Sequence, residues 1–248
     1  VGFFIMSPSG NKLFNFNWFK GFKSERKSLP HLVELHSPQS IDSTPLKSTR
    51  FIVVDLETTG LNIHKDQVIA IGAVAIESSE IQLSQSFERT LLRTLRKLDD
   101  TVLIHGISPE EVASGEAPEQ ALFDFMHYAG ESVFLAYHAP FDQTMLSRTL
   151  KRDLGIPLKH HFFDIADIAP ALFPICELSR SKKNAGLDDW VNYFGLNVSN
   201  RHSASADALA TAEIMLILLR EAEKQGVDTL AQLAEKLKNY KRLQLMNL

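Results

Sequence analysis

The chain of 248 residues contains a single cysteine, Cys176, so it has no internal disulfide framework and no cysteine-based zinc site. No apolar run approaches the roughly 20 residues that are needed to span a bilayer. The apolar stretch at residues 2–6 is too short for a signal-peptide core, and no basic segment precedes it. These absences predict a protein without a membrane span that works in a reducing cytoplasm.

The chain also lacks a large excess of charge of one sign, because the net charge is only −4. This value argues against a protein that coats nucleic acid by charge alone. The distribution is uneven, since residues 1–30 carry five basic residues and one acidic residue. A basic arm on an acidic body is therefore one possible arrangement. With 44% hydrophobic and 23% charged residues, the composition is that of a globular protein with one sizeable core or two small ones.

The chain divides into three predicted parts. Residues 1–48 are basic and aromatic at first and then rich in Ser, Thr and Pro, which predicts an N-terminal extension with a linker. This extension docks on the body, binds a partner or is partly disordered. A locally packed tail and a nucleic-acid-binding arm are both open interpretations of it. Residues 49–225 are predicted to form the main domain, and residues 226–248 a C-terminal amphipathic helix.

The main domain shows an α/β pattern. Its predicted strands come first and are followed by helices that alternate with further strands, which indicates a mixed sheet. Ser108 is predicted to cap a helix with Glu111 in its first turn, and Gly155 to end another. The predicted strands are 50–59, 68–78, 81–92 and 132–138, and the predicted helices are 108–130, 140–155, 186–196, 203–226 and 228–246.

The stretch "FIVVDLETTGL" at residues 51–61 runs from a buried strand into two carboxylates. Side chains alternate across a strand, so Asp55 and Glu57 share one face. Like charges side by side repel each other, and a hard divalent cation is the usual oxygen-ligand solution. The same stretch also suits a strand that ends in solvent with a turn at Thr-Thr-Gly.

Two later segments carry further carboxylates. In "AYHAPFDQTML" an apolar strand meets a helix that opens around Asp142, which places this residue at the sheet edge where open α/β sheets bind ligands. The helix dipole alone would also favour an acid there. In "NRHSASADALATAE" His202 precedes Asp207 at the start of a long helix. His is suited to accept a proton from water near neutral pH, although a loop His is often only a solvated residue.

The order and spacing of these segments resemble the DEDDh branch of the DnaQ-like 3′–5′ exonucleases, the family of the proofreading epsilon subunit of bacterial DNA polymerase III. The resemblance covers about residues 50–222. It is carried by "VVDLETTGL", "HAPFD" and the His-x4-Asp form of "HSASAD". One position departs from the family pattern, because His138 stands where the second motif usually has Asn. Since Asp142 is kept, we expect activity to survive.

The resemblance implies a ribonuclease H-like fold, with a mixed central β-sheet flanked by helices, and a site for two divalent metal ions, Mg²⁺ or Mn²⁺. Its implied metal ligands and catalytic carboxylates are Asp55, Glu57, Asp142 and Asp207. His202 is the implied general base, which takes a proton from the attacking water. The implied product is a nucleoside 5′-monophosphate from a 3′ end.

The resemblance also implies a pocket for the terminal nucleotide. Its backbone and hydroxyl donors near the 3′-OH are Thr58, Thr59 and Gly60, and the side chains around the terminal bases are Leu61, His105 and Phe141. Phe141 is equally suited to core packing. We interpret the following residues as structural or exposed: His64, His127, His160, His161, Asp164 and Asp167. Two basic clusters are candidates for lining the path of a polyanion: Arg148, Lys151 and Arg152, and Arg180, Lys182, Lys183 and Arg201.

The implied partner is the 3′ end of a nucleic acid, with DNA favoured over RNA. A DNA polymerase or repair protein is a candidate partner for residues 1–48. Two alternatives stay open: an exoribonuclease that trims RNA 3′ ends, and a non-catalytic module that binds a polymerase. The intact set of four carboxylates and His202 argues against the second alternative.

Overall fold

The computed structural model describes residues 37–94, 106–180, 185–198 and 203–246. Within these residues there are six strands, namely β1 (Phe51–Thr58), β2 (Val68–Glu77), β3 (Glu80–Ile81), β4 (Phe87–Thr90), β5 (Val133–Ala136) and β6 (Phe162–Asp164). They form one sheet in the order β3-β2-β1-β5-β6, and β4 pairs with β2 beyond the end of β3. β1 is antiparallel to β2 and parallel to β5, which is itself parallel to β6. The predicted mixed sheet is therefore confirmed.

Helices cover both faces of this sheet. The helices of the described residues are α1 (Pro109–Ala113), α2 (Pro118–Ala129), α3 (Ala139–Asp153), α4 (Ile165–Leu172), α5 (Glu177–Arg180), α6 (Leu187–Tyr193), α7 (Ala204–Lys224) and α8 (Leu230–Met246). On one face, α4, α6, α7 and α8 share a core with Val53, Val74 and Leu135. On the other face, Phe125 of α2 packs against Phe87 and Phe134.

Two predicted elements are broken in the structure. The strand predicted over 81–92 is interrupted by a 3-10 turn at Leu83–Gln85. The helix predicted over 108–130 is two helices, because the backbone of Glu116 pairs with Thr90 and Leu92 instead of continuing the first helix. A Cβ at Gly115 would lie 2.7 Å from the Leu91 carbonyl carbon, so only glycine fits this approach.

Both predicted helix boundaries are confirmed. The Glu111 N–H donates to the Ser108 hydroxyl at 3.1 Å, and the Ser108 N–H donates to the Glu111 carboxylate at 2.6 Å. This reciprocal pair satisfies two N–H groups that the first turn of α1 leaves without helical partners. Gly155 follows the last residues of α3 with a φ of 72°, a left-handed conformation that glycine adopts at little cost.

The segment before β1 lies along the start of α8. The Leu46 N–H donates to the Asp228 carbonyl at 2.8 Å, and the Leu230 N–H donates to the Thr44 carbonyl at 3.0 Å. The described residues from Ser37 onward belong to one compact unit. The predicted boundaries at residues 48 and 225 stay predictions, and most of the predicted extension lies outside the described residues. In the part of the chain that the structure describes, none of the helices has the length and apolar character that crossing a membrane requires.

Candidate active site

Asp55 and Glu57 lie at the end of the central strand on the face that α7 covers. Val53, two residues earlier on β1, belongs to the core that β1 shares with this helix. The alternation of side chains therefore directs both acids towards the same helix layer. Asp55 is partly exposed, whereas Glu57 is only 4% exposed. The antiparallel ladder pairs Asp55 with Gly72 and Glu57 with Ala70 of β2.

Gly72 determines where α7 begins. A Cβ at this position would lie 2.2 Å from the carbonyl carbon of Ala204, which is closer than real contacts allow. The absence of a side chain thus lets the first turn of α7 rest on the sheet beside the ladder partner of Asp55. The Ser203 hydroxyl accepts from the Ala206 N–H at 3.4 Å, and Asp207 lies in the same first turn. The start of α7, which carries the third motif, therefore lies on the face of the sheet to which Asp55 and Glu57 point.

Asp142 joins the second motif to the first. It lies in the first turn of α3 and is 5% exposed, and the backbone of Leu56 is close enough to its carboxyl group to influence the pKa of Asp142. Leu56 is the residue between Asp55 and Glu57. Burial, followed by the charges of Asp164 and Glu57, raises the pKa of Asp142 to about 8. A carboxyl in this position gains strongly from any nearby positive charge.

The start of α3 has an uncommon backbone. His138 has φ 63° and ψ 46°, in the left-handed region that Asn and Gly adopt more readily than other residues. Its N–H donates to the Asp164 carboxylate at 2.9 Å, and the same oxygen accepts from the Ala166 N–H at 3.0 Å. Burial raises the pKa of Asp164. Asp164 thus anchors the turn that precedes Asp142, which agrees with its structural interpretation.

The residues predicted around the substrate form a compact turn after β1. The Thr58 hydroxyl donates to the Gly60 carbonyl at 2.8 Å, and Thr59 exchanges hydrogen bonds with Gln67 at 2.9 and 3.0 Å. Leu61 projects from this turn with 83% of its surface exposed. Phe141 is partly buried in the first turn of α3, so its predicted contact with a base stays a prediction.

Several predicted residues lie outside the described residues, namely His105, His202, Lys182, Lys183 and Arg201. Among the described residues, no three His, Cys, Asp or Glu side chains are grouped closely enough to hold a metal ion between them. The elements that carry the four predicted carboxylates meet at the end of β1, but the carboxylates do not form such a group there. Their roles as metal ligands stay predictions.

Two of the three basic residues of α3 that were predicted to line the path of a polyanion form hydrogen bonds within the protein. Arg148 donates to the carbonyl of Asp66, and Arg152 donates to Asp153 at 2.7 Å. Lys151 is exposed. Among the histidines treated as structural, His160 is buried, contacts the Gly130 carbonyl at 2.9 Å and stacks on Phe134. Burial lowers the pKa of His160, which favours a neutral core residue over a catalytic one.

Two residues that organise the site were not singled out from the sequence. Gly72 had a readable signal, because a glycine inside the apolar run of β2 indicates a close approach of another backbone. Asp66 had none, since an acid in a polar loop between strands is ordinary. Its role appears only when the turn closes around its carboxylate.

The order of the strands and the helix layers define a ribonuclease H-like fold. A family model described as Exonuclease (RNase_T) matches residues 52–215, which is more than half of the chain and includes all three motifs. The chain therefore belongs to the DnaQ-like exonuclease family. This membership confirms the resemblance that the three motifs indicated.

Known proteins agree with this assignment. DNA polymerase III PolC-type of Thermotoga maritima is 29% identical over 199 residues, which are 80% of this chain and 14% of that protein. E. coli Exonuclease I in complex with a dT13 oligonucleotide has a TM-score of 0.61 at 21% identity, over 72% of this chain and 42% of that one. A zinc-ion-bound form of the E. coli ExoI–ssDNA complex has a TM-score of 0.60 at 21% identity, over 72% and 41%. Similarity at this level shows a shared fold.

Proposed function

We propose that this chain is a metal-dependent 3′–5′ exonuclease that releases nucleoside 5′-monophosphates from the 3′ end of single-stranded or frayed DNA. The observation that carries the proposal is the meeting of three separate motifs at the end of β1. Asp142 of the second motif lies beside the Leu56 backbone of the first motif, and the third motif is brought close by the contact of Gly72 with Ala204.

The proposed roles follow from this arrangement. Asp55, Glu57 and Asp207 would hold one divalent ion, and Asp55 would also contribute to a second. Asp142 would support the first ion directly or through water. His202, which precedes the Ser203 cap of α7, would accept the proton of the attacking water. Thr58, Thr59 and Gly60 would offer donors to the terminal 3′-OH.

The chemistry of the donors fits Mg²⁺ or Mn²⁺. All four acids supply carboxylate oxygens, which are the ligands that hard divalent cations prefer. The raised pKa of Asp142 reflects burial beside other acids, and a cation would favour its charged form. Divalent ions at such a site supply water activation and stabilisation of the leaving oxygen. The fold neighbour solved with a zinc ion and single-stranded DNA is consistent with this proposal.

DNA is the proposed substrate for two reasons, both of which come from similar proteins. The PolC-type relatives are DNA polymerases, and the E. coli Exonuclease I structure contains a DNA oligonucleotide. The exposed Leu61 of the turn is suited to contact the unpaired bases of either polymer. The chain covers only 14% of the first PolC-type relative, so a polymerase partner is part of the proposal and is assigned here to residues 1–48.

The test is degradation of a 5′-labelled single-stranded DNA oligomer and of its RNA counterpart, each with Mg²⁺ or Mn²⁺. Wild type is compared with Asp55→Ala and His202→Ala, and with Glu88→Gln as a control for an exposed acid on β4. We expect a ladder that shortens from the 3′ end, requires metal and disappears in both site variants. Faster loss of the RNA would assign an exoribonuclease instead. Absence of a ladder on both polymers would leave a binding module as the function.

A further inference from the structure

The turn between β1 and β2 is closed by one carboxylate. Asp66 accepts from the Thr59 hydroxyl at 3.0 Å through one oxygen and from the Asn62 N–H at 2.7 Å through the other. The backbones of Asp66 and Asn62 are also joined, with the Asp66 N–H donating to the Asn62 carbonyl at 2.9 Å. Each oxygen of Asp66 therefore holds a different part of the turn.

The carboxylate of Asp66 occupies space that is available only because Gly60 has no side chain. A Cβ at Gly60 would lie 2.6 Å from an oxygen of Asp66. The turn is thus packed around the acid, and the acid cannot be displaced without opening the turn. This contact links Gly60, which the family resemblance places at the substrate, to a residue that no motif contains.

Arg148 of α3 holds the same turn from outside. Its guanidinium donates to the backbone carbonyl of Asp66 and is only partly exposed. Arg148 follows Asp142 by six residues, which is about 9 Å along a helix. The helix that supplies the buried acid of the site therefore also fixes the turn after β1.

The residue presented by this turn is apolar. Leu61 is 83% exposed, although the backbone around it is held by Asp66 on one side and by the Thr59–Gln67 pair on the other. A large apolar side chain on a fixed backbone can bind without a further cost of ordering the loop. Bases at an unpaired end offer an apolar face of suitable size.

We propose that Asp66 and Arg148 are positioning residues that hold Leu61 for the unpaired 3′ end and so determine the affinity for single-stranded ends. The inference rests on the proposed exonuclease function. Neither residue contacts the reacting atoms. Without the hydrogen bonds of Asp66 and Arg148, the turn must be ordered when substrate binds. The free-energy cost of this ordering raises KM, while kcat is largely retained.

The sign of the Asp66 effect separates this proposal from general electrostatics. Removing an acid near a polyanion strengthens binding if only charge matters. If Asp66 holds the turn instead, its removal weakens binding. For Asp66→Ala we expect a KM for a single-stranded DNA oligomer that is about 10-fold higher, equivalent to about 1.4 kcal/mol, with kcat within twofold of wild type.

Arg148→Ala is the second variant, and Lys238→Ala on α8 is its charge-matched control. Both substitutions remove one positive charge, but Lys238 is exposed on a helix that carries none of the predicted site residues. We expect KM to rise in Arg148→Ala and to change less than twofold in Lys238→Ala. Asp66→Asn, which keeps one acceptor oxygen, should fall between wild type and Asp66→Ala.

A binding measurement without turnover completes the test. Fluorescence anisotropy of a labelled dT oligomer in EDTA should show weaker binding for Asp66→Ala and Arg148→Ala, with thermal melting to confirm that both variants are folded. Unchanged KM and affinity in both folded variants, tighter binding by Asp66→Ala, or an equal effect of Lys238→Ala would overturn the inference. If wild type binds but does not cleave, only the proposed function fails. If it neither binds nor cleaves, both fail.

Discussion

Gly72 and Ala204 pack with no room for a side chain between them, and a Cβ on Gly72 would lie 2.2 Å from the Ala204 carbonyl carbon. This contact sets the distance between the sheet and the first turn of α7. Because Gly72 pairs with Asp55 across the antiparallel ladder, the same contact sets where Asp207 stands relative to the first motif.

Gly72→Ala should therefore displace the start of α7. We expect a loss of about 2 kcal/mol of folding free energy from overpacking against backbone, and a larger loss of nuclease activity. Urea denaturation and oligomer degradation measure the two effects. Gly186→Ala is the matched control, since a Cβ there would meet only the Asp189 carboxylate at 3.6 Å. Equal stability of the two variants would contradict the role given to Gly72.

In the absence of metal, Asp142→Asn should become increasingly more stable than wild type as the pH rises. The pKa of Asp142 is raised from 3.8 to about 8 in the folded protein, so the folded state keeps a proton that the unfolded chain has lost. Stability from this group is complete below pH 3.8 and is lost as the pH rises towards 8, by at most about 1.4 kcal/mol per pH unit.

The measurement is denaturation of both proteins in EDTA between pH 4 and 8. The free energy of unfolding of Asp142→Asn relative to wild type should increase across this range, because other titrating groups are common to both. Curves that run parallel would show that Asp142 is not held protonated. Activity should nevertheless be lost in the variant, since the neutral amide is a poorer ligand for a hard cation.

His138 tests the departure from the family motif. His138→Asn should leave stability nearly unchanged, because Asn adopts the left-handed region readily, whereas His138→Val should lose about 1–2 kcal/mol. His161→Val is the control, since His161 is exposed and is not among the described residues with positive φ. Urea denaturation of the three variants gives the comparison. Equal losses in His138→Val and His161→Val would remove the backbone explanation.

Metal binding can be measured without activity. A ligand that binds only the folded state raises stability by about 2.7 kcal/mol at 100 times its Kd. We expect Mn²⁺ to raise the melting temperature of wild type and of Glu88→Gln, and to have a much smaller effect on Asp55→Asn and Glu57→Gln. A similar increase in all four proteins would place the ion elsewhere.

The sequence was sufficient for the local features of the site. The period of two in β1 put Asp55 and Glu57 on one face, and the Ser108 capping box and the left-handed Gly155 were predicted from residue types alone. These features depend on neighbours within a few residues, so the pattern contains the relevant physics. The mixed sheet and the family also followed from the order of the motifs.

Long-range contacts were decided only by the tertiary structure. The break at Gly115, the hydrogen bond of Arg148 to the Asp66 carbonyl and the raised pKa of Asp142 all arise from groups that are distant in sequence. A residue pattern specifies which side of an element is apolar, but it does not specify which backbone approaches that side. The chain by itself thus determined which side chains carry the chemistry, whereas packing decided how close together they stand.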